Sequence, residues 1–378
     1  MYIQKFLREG GPLDDLMNPE KYNLIVKEYG KLVIFNYRQI GSLYDNISIE
    51  ARGLILEKDT WNKVHVAFNR FFNDNEKENI CGVDKNFKNR SNLYILEKLD
   101  GSLFGVFIYM NDWMISTRGV IGADCPISFG NIETTFTFEK YFNEIVNKDE
   151  FFKKLNPNYD YTFEIAGPKN IIVTPYDKEK EGLYLICLRK KPEFKECNYT
   201  ELKIEAERIG TKYPNRISDT NILKQNILIM DSLDEGYVCV DYFRHYDGLN
   251  YPRVKIKNLN YLIRAKEKRY SMKDLFGLIL LNKDNEYIAK FNYDENIKII
   301  LKELKQKYIT LLDNIHTDFN ILKELYPNSK EFGKSNIKTK YNDFIFKLYA
   351  NVPPKQYIDT LIDNNGLRYT AKKLINLF

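Results

Sequence analysis

Lys98 lies in LEKLDGSLFG (residues 96–105), two positions before Asp100-Gly101 and between apolar runs. Three further stretches place charged groups where charge is costly or directed. TFEIAGPKNIIV sets Glu164 inside an apolar strand, where an unpaired carboxylate is expensive. LDEGYVCVD puts Glu235 directly before Gly236 at the start of another strand. RVKIKN spaces Lys255 and Lys257 two apart, so in a strand both face one side while Val254 and Ile256 face the other. A lysine amine that sheds its proton is a nucleophile. The first stretch also fits a plain hairpin, because Asp-Gly between hydrophobic runs is a strong turn signal.

Short runs rich in Val, Ile, Phe and Tyr, bounded by Gly, Asn, Asp or Pro, predict the strands that carry these groups. They cover 31–37, 52–58, 63–70, 93–98, 102–110, 113–119, 161–167, 170–176, 182–189, 236–243 and 253–258. An amphipathic helix is predicted around PLDDLMNPEKYNLIVKEYG, ended by Gly30, with further helices near 136–155 and 199–209. The first 260 residues therefore read as a mostly antiparallel α+β domain. Beyond them the period changes. Ile297, Leu301, Leu304, Tyr308, Leu311, Ile315, Phe319 and Leu322 mark one face of a long helix, broken at Pro327-Asn328. Helices near 338–350, 355–364 and 369–378 follow, so residues 261–378 are expected to form a helical domain. Ser271-Met272-Lys273-Asp274 reads as a helix cap.

The 378 residues carry 57 Lys+Arg against 52 Asp+Glu, a net charge of +5. That is too mild to demand a nucleic-acid partner, yet it permits a local basic groove. Cys81, Cys125, Cys187, Cys197 and Cys239 are odd in number and not closely paired. A zinc site or disulfide framework is therefore not expected, and a reducing, cytoplasmic setting is the simpler reading. No signal peptide or apolar run of membrane-spanning length is found. His65, His245 and His316 have no motif context.

Taken in order, the charged stretches resemble the motifs of covalent nucleotidyltransferases, the superfamily of ATP-dependent ligases and mRNA-capping enzymes. Lys98-x-Asp100-Gly101 matches motif I, Phe163-Glu164 motif III, Glu235-Gly236-Tyr237-Val238 motif IV and Lys255-Ile256-Lys257 motif V. LYLICLR (183–189) sits where motif IIIa belongs, without an aromatic at its centre. Within the superfamily the chain is most similar to the bacteriophage RNA ligase 1 family, which repairs broken tRNA anticodon loops. Ala51-Arg52-Gly53-Leu54 matches the family's Arg-Gly strand, and Arg70-Phe71-Phe72-Asn73 its Lys-Phe-Phe-Asn segment. Arg118, in ISTRGVI, stands where the family has a cation. The resemblance covers roughly residues 30–265.

The resemblance implies an ATP-grasp-like ligase fold: an adenylation domain at 1–260, a helical domain at 261–378 and no OB barrel. It implies Lys98 as the nucleophile that takes AMP from ATP, with Lys255, Lys257 and Asp100 as further catalytic residues. Arg52, Arg70, Glu97, Lys98, Gly101, Arg118, Glu164, Glu235, Lys255 and Lys257 are the implied nucleotide-binding set. Glu164 and Glu235 are the implied ligands of Mg2+ or Mn2+. The implied substrates are RNA ends bearing a 5′-phosphate and a 3′-hydroxyl, tRNA among them, and a monomer is expected. A capping or DNA-ligase type of enzyme, and a nucleotide- or RNA-binding relative without turnover, stay as alternatives.

Overall fold

The structure, a computed structural model, describes residues 1–38, 45–73, 93–129, 132–218, 234–258, 261, 271–290 and 295–378. Cys81, the side chain of Ile297 and the expected boundary at residue 260 lie outside the described residues. The chain divides into two compact units, one of Met1–Phe129 and Glu133–Lys268, the other of Arg269–Phe378 with Gly130–Ile132.

The first unit begins with β1 (Leu24–Tyr29), β2 (Leu32–Tyr37), β3 (Arg52–Glu57) and β4 (Lys63–His65), hydrogen-bonded in that order. Next come β5 (Leu93–Glu97), β6 (Ser102–Tyr109), β7 (Asp112–Thr117), β8 (Pro126–Phe129) and β9 (Ile132–Thr137). Then follow β10 (Tyr159–Ala166), β11 (Gly182–Lys190), β12 (Lys195–Glu196), β13 (Arg216–Ile217), β14 (Gly236–Asp241) and β15 (Arg253–Lys257). One sheet runs β12-β11-β10-β6-β7 and another β13-β5-β14-β15, while β8 and β9 form a separate pair. Within the three larger sheets the paired strands run antiparallel. The α+β class and the absence of a barrel among the described residues agree with the sequence.

Four local expectations fail, each for a physical reason. The helix predicted around 12–30 is only Leu13–Met17, and Leu24–Tyr29 is a strand. Tyr29 pairs with Leu32 across a two-residue turn in which Gly30 adopts φ 61°, so that glycine closes a hairpin, not a helix. The segment 170–176 is no strand, because its amides at Val173 and Thr174 are taken by the Asp100 carboxylate. The stretch 136–155 splits into Phe138–Ile145 and Lys148–Lys154, since the Asn147 side chain caps the second helix at Glu150 N. LEKLDGSLFG is not a hairpin: β5 and β6 belong to different sheets, and residues 98–101 carry the chain from one to the other. The true hairpin is at Met110-Asn111, both at positive φ, between the paired Tyr109 and Asp112.

Buried polar groups join the layers. Asp160 on β10 accepts from His65 Nδ1 and Val66 N, both at 2.8 Å, tying β4 to the large sheet. Arg189 on β11, 1% exposed, donates to the carbonyls of Phe194, Leu249 and Ala67 and to Asn250 Oδ1. These bonds hold the extended run after β4, and Lys255 N donates to Phe72 O at 3.0 Å farther along it. Phe68 and Phe71 are thereby fixed beside β15.

The second unit is helical. Glu295–Leu325 forms a 31-residue helix, about 46 Å at 1.5 Å per residue, burying Leu301, Leu304, Leu311, Ile315 and Leu322. Its last carbonyls are satisfied by Tyr349, whose hydroxyl donates to Leu322 O and Tyr326 O. Met272–Leu280 starts with a reciprocal Ser271–Asp274 capping box. Asn342–Tyr349, Pro354–Asn365 and Leu367–Ile375 complete the bundle with the short Asp284–Lys290 and Ser329–Lys334.

At Gly236, φ is 132° and an added Cβ would lie 2.0 Å from Ile256 O. Gly236→Ala should cost about 2–4 kcal/mol through clash and strain, read from the urea midpoint. Gly248→Ala, at φ 81° in open space, should cost only about 1 kcal/mol. Equal losses would show that the close β14–β15 approach is not what Gly236 serves.

Candidate active site

Lys98 follows the last residue of β5, and its backbone N donates to Gly236 O at 2.9 Å, so its loop is pinned to β14. Its ammonium donates to Glu235 Oε2 at 2.6 Å, and Lys257 from β15 reaches Glu235 Oε1 at 2.8 Å. One carboxylate, 6% exposed, thus bridges two lysines. Burial would push the Glu235 carboxyl up, but Lys98 and Lys257 outweigh it and hold it below its ordinary range.

Glu164 behaves oppositely. Burial raises its carboxyl to about 7 against the pull of Lys98 and Arg52, with Glu235 and Asp100 adding to the rise. It shares a cleft of about 590 Å3 with Lys98, Arg52, Phe68, Phe71, Ile186, Val238 and Arg253. Ile186 from β11 and Val238 from β14 give this cleft apolar surface from two sheets, the right chemistry for a flat heteroaromatic base. Arg52 Nη1 is buried with no hydrogen-bond partner, a donor left for a ligand oxygen. The Arg52 guanidinium lies 4.3 Å from the Phe68 ring centroid, and that of Arg253 4.6 Å from the same centroid. Arg253 keeps a buried ion pair with Glu196.

Arg70 and Arg118 do not line this cleft; with Arg52 they surround Tyr37. Arg70 Cζ stands 4.4 Å and Arg118 Cζ 5.2 Å from the Tyr37 ring centroid. Burial opposes ionisation of Tyr37, yet Arg52, Arg118 and Arg70 prevail and hold the phenol below its usual range. Lys255 Nζ lies 5.6 Å from the Phe71 centroid. Glu97 Oε1 accepts from Asn215 N at 2.8 Å. A second opening of about 890 Å3 reaches Lys98 with Glu97, Glu235, Tyr176, Tyr184 and Asp234 around it.

Asp100 is 1% exposed, and its carboxylate accepts from three donors of the protein. Its partners are Val173 N, Thr174 N and the Tyr261 hydroxyl, as expected for a carboxylate that fixes a loop. Sequence reasoning missed Tyr37, Phe68, Arg253, Tyr176 and Tyr261. Arg253 was the legible one, since it shares strand parity with Lys255 and Lys257.

A metal needs donors that fit it. Among the described residues no three His, Cys, Asp or Glu side chains form a metal-holding group. Glu164 and Glu235 suit Mg2+ or Mn2+ that takes its remaining oxygens from phosphates and water.

Glu164 generates a pH prediction. Its folded value of about 7 lies above the ordinary 4.5, so the fold prefers the protonated acid. The stability it contributes is full below pH 4.5 and is lost as pH rises to 7, about 3 kcal/mol in all. Urea midpoints of wild type and Glu164→Gln should therefore diverge across that window, the wild type losing more. Parallel curves would mean that Glu164 ionises normally.

Comparison with known proteins agrees with the motif order. The profile of a family described as RNA ligase matches residues 50–261. A bifunctional polynucleotide kinase/RNA ligase, as it is named, from Autographa californica nuclear polyhedrosis virus is 27% identical over 317 residues. That match takes in 79% of this chain and 42% of the viral protein, so the chain spans about two fifths of that relative. An RNA ligase of Rhodothermus phage RM378 is 26% identical over 363 residues, covering 81% of this chain and 80% of the phage protein. An archaeal ATP-dependent RNA ligase structure, 13% identical, superimposes over 82% of each chain with a TM-score of 0.47. With more than half of its length matched by the profile, the chain belongs to the RNA ligase family.

Proposed function

We propose that the protein seals RNA ends by way of a lysyl-adenylate on Lys98. The observation that carries this reading is the convergence of Lys98 and Lys257 on the Glu235 carboxylate beside the cleft of Glu164 and Arg52. In the first step the Lys98 amine, having lost a proton, attacks the α-phosphorus of ATP. An N–P bond forms, the α–β phosphoanhydride breaks and pyrophosphate leaves. A phosphate entering the site offers Lys98 and Lys257 an anionic partner other than Glu235, which frees the nucleophile from its present contact. In the second step an oxygen of the RNA 5′-phosphate displaces Lys98 from AMP. In the third a 3′-hydroxyl attacks that activated phosphate and AMP departs.

Ile186 and Val238 offer the adenine ring apolar surface, and the unpartnered Nη1 of Arg52 suits a ribose or phosphate oxygen. Lys257, and Lys255 one pair along β15, supply cations that offset charge as pyrophosphate leaves. Arg70 and Arg118 suit substrate phosphates, where a planar fork meets two oxygens. Glu164 and Glu235 would hold Mg2+ or Mn2+, which would screen phosphate charge and orient the leaving group. Residues 1–260 form the adenylation domain in this reading, and the helical residues 261–378 select the RNA, tRNA among the candidates. A monomer in the reducing cytoplasm suits the free Cys125, Cys187 and Cys197.

The test is incubation with ATP labelled at the α-phosphate, with magnesium. Label should survive denaturation, fall below detection in Lys98→Ala, and disappear when the metal is chelated. A 5′-phosphorylated RNA should then be circularised in preference to DNA. An unlabelled wild type, or label retained in Lys98→Ala, would overturn the reading, and preference for GTP would point to capping.

A further inference from the structure

The floor of the Glu164 cleft runs along β14, away from Lys98. Lys98 N bonds to Gly236 O at the start of that strand, and Val238, Val240 and Tyr242 follow at alternate positions, all three lining the cleft. Their strand neighbours line it too, since Leu96 of β5 pairs with Val238 and Arg253 of β15 with Val240. Same-face neighbours on a strand stand about 7 Å apart, so a base lying on Val238 turns the edge opposite its ribose toward Val240 and Tyr242. At that end Arg253 is committed to its buried ion pair with Glu196, whereas the Tyr242 hydroxyl makes no hydrogen bond to any described residue. Two edge-to-face contacts fix the ring, with Tyr94 at 5.2 Å and 90° and with Tyr251 at 4.8 Å and 72°. Burial pushes the phenol above its usual range, so the group is a neutral hydroxyl with one proton to give and two lone pairs to receive.

We infer that Tyr242 is a specificity-determining residue for the nucleotide, its hydroxyl accepting a hydrogen bond from the 6-amino group of adenine. The inference rests on the lysyl-adenylate reading above, with the base on Ile186 and Val238. The 6-amino group stands on the purine edge away from the ribose, where the run of Val238, Val240 and Tyr242 leads. A fixed hydroxyl in a largely apolar setting is costly until a ligand atom meets it. A nucleotide without the amine leaves that hydroxyl unpaired, and a site built for a hydrogen bond rejects an analogue that cannot make it. The oxygen of guanine is a poor probe of this contact, because the hydroxyl can turn and donate to it. Purine riboside triphosphate, with only hydrogen at position 6, isolates the contact.

The experiment compares ATP with purine riboside triphosphate, both labelled at the α-phosphate and given with magnesium, on wild type and on Tyr242→Phe. In wild type the concentration giving half-maximal labelling of Lys98 should be about five- to tenfold lower for ATP than for the analogue. In Tyr242→Phe the ATP value should rise by that factor and the analogue's should not rise, so the preference disappears. The maximal labelling rate should stay within twofold of wild type. An unchanged ATP value in the variant, or a rise of the same size for both nucleotides, would overturn the inference, the latter marking a merely structural role for the ring. If Tyr242→Phe does not fold, Tyr242→Leu is read by the same outcomes, and equal half-saturation by the two nucleotides in wild type overturns the inference with no variant at all. A wild-type protein that takes label from neither nucleotide would instead overturn the lysyl-adenylate reading.

Discussion

The crossing of the chain from β5 to β6 is the constraint on which the site depends. Four residues leave one sheet and enter another, and Lys98 is the first of them. The crossing is tight because Gly101 has no side chain. A Cβ there would stand 2.5 Å from Ile165 O and 2.9 Å from Glu164 Cγ. The strand that carries Glu164 can therefore lie directly against the loop that carries Lys98. Asp100 fixes the corner from the inside, where a turn facing water would have left its carboxylate solvated. Gly236 performs a similar service on the opposite side, letting β14 approach β15 closely enough for Glu235 and Lys257 to meet.

The two acidic residues of the site are held in opposite states by their surroundings. Glu235 has two ammonium groups within 3 Å and stays ionised despite its burial. Glu164 has cations nearby but no such contact, and burial wins. Two carboxylates with separated proton affinities are a common way for one pocket to perform two tasks. The guanidinium groups are arranged on a different principle, with the aromatic faces of Phe68 and Tyr37 supporting their charges.

Much of this was legible in the sequence. The order of Lys98, Glu164, Glu235, Lys255 and Lys257 was legible as a resemblance to the nucleotidyltransferase motifs, and the cost of such groups within apolar strands only said that they need partners. The long helix was legible from its 3.6-residue period. What failed were the places where long-range contacts override local preference. Asp100-Gly101 has the composition of a hairpin, and only the pairing of β5 and β6 with other strands reveals a crossover. Met110-Asn111 lacks the usual glycine and yet makes the real hairpin. Leu24–Tyr29 is ambiguous between helix and strand until β2 pairs with it. Tyr261 and Tyr176 lie far along the chain from Asp100, with no local pattern to reveal that their hydroxyls meet it.

The shared carboxylate at Glu235 also has a bearing on how charge moves through the proposed cycle. At rest, two positive groups and one negative group balance most of one another, so an incoming nucleotide exchanges partners more than it gains them. Once Lys98 is bonded to phosphorus, its nitrogen carries no formal charge, and Glu235 is left with Lys257 alone. The first covalent event would then leave the pocket more electronegative than it began, a built-in memory, written in charge, of which half of the reaction has been completed.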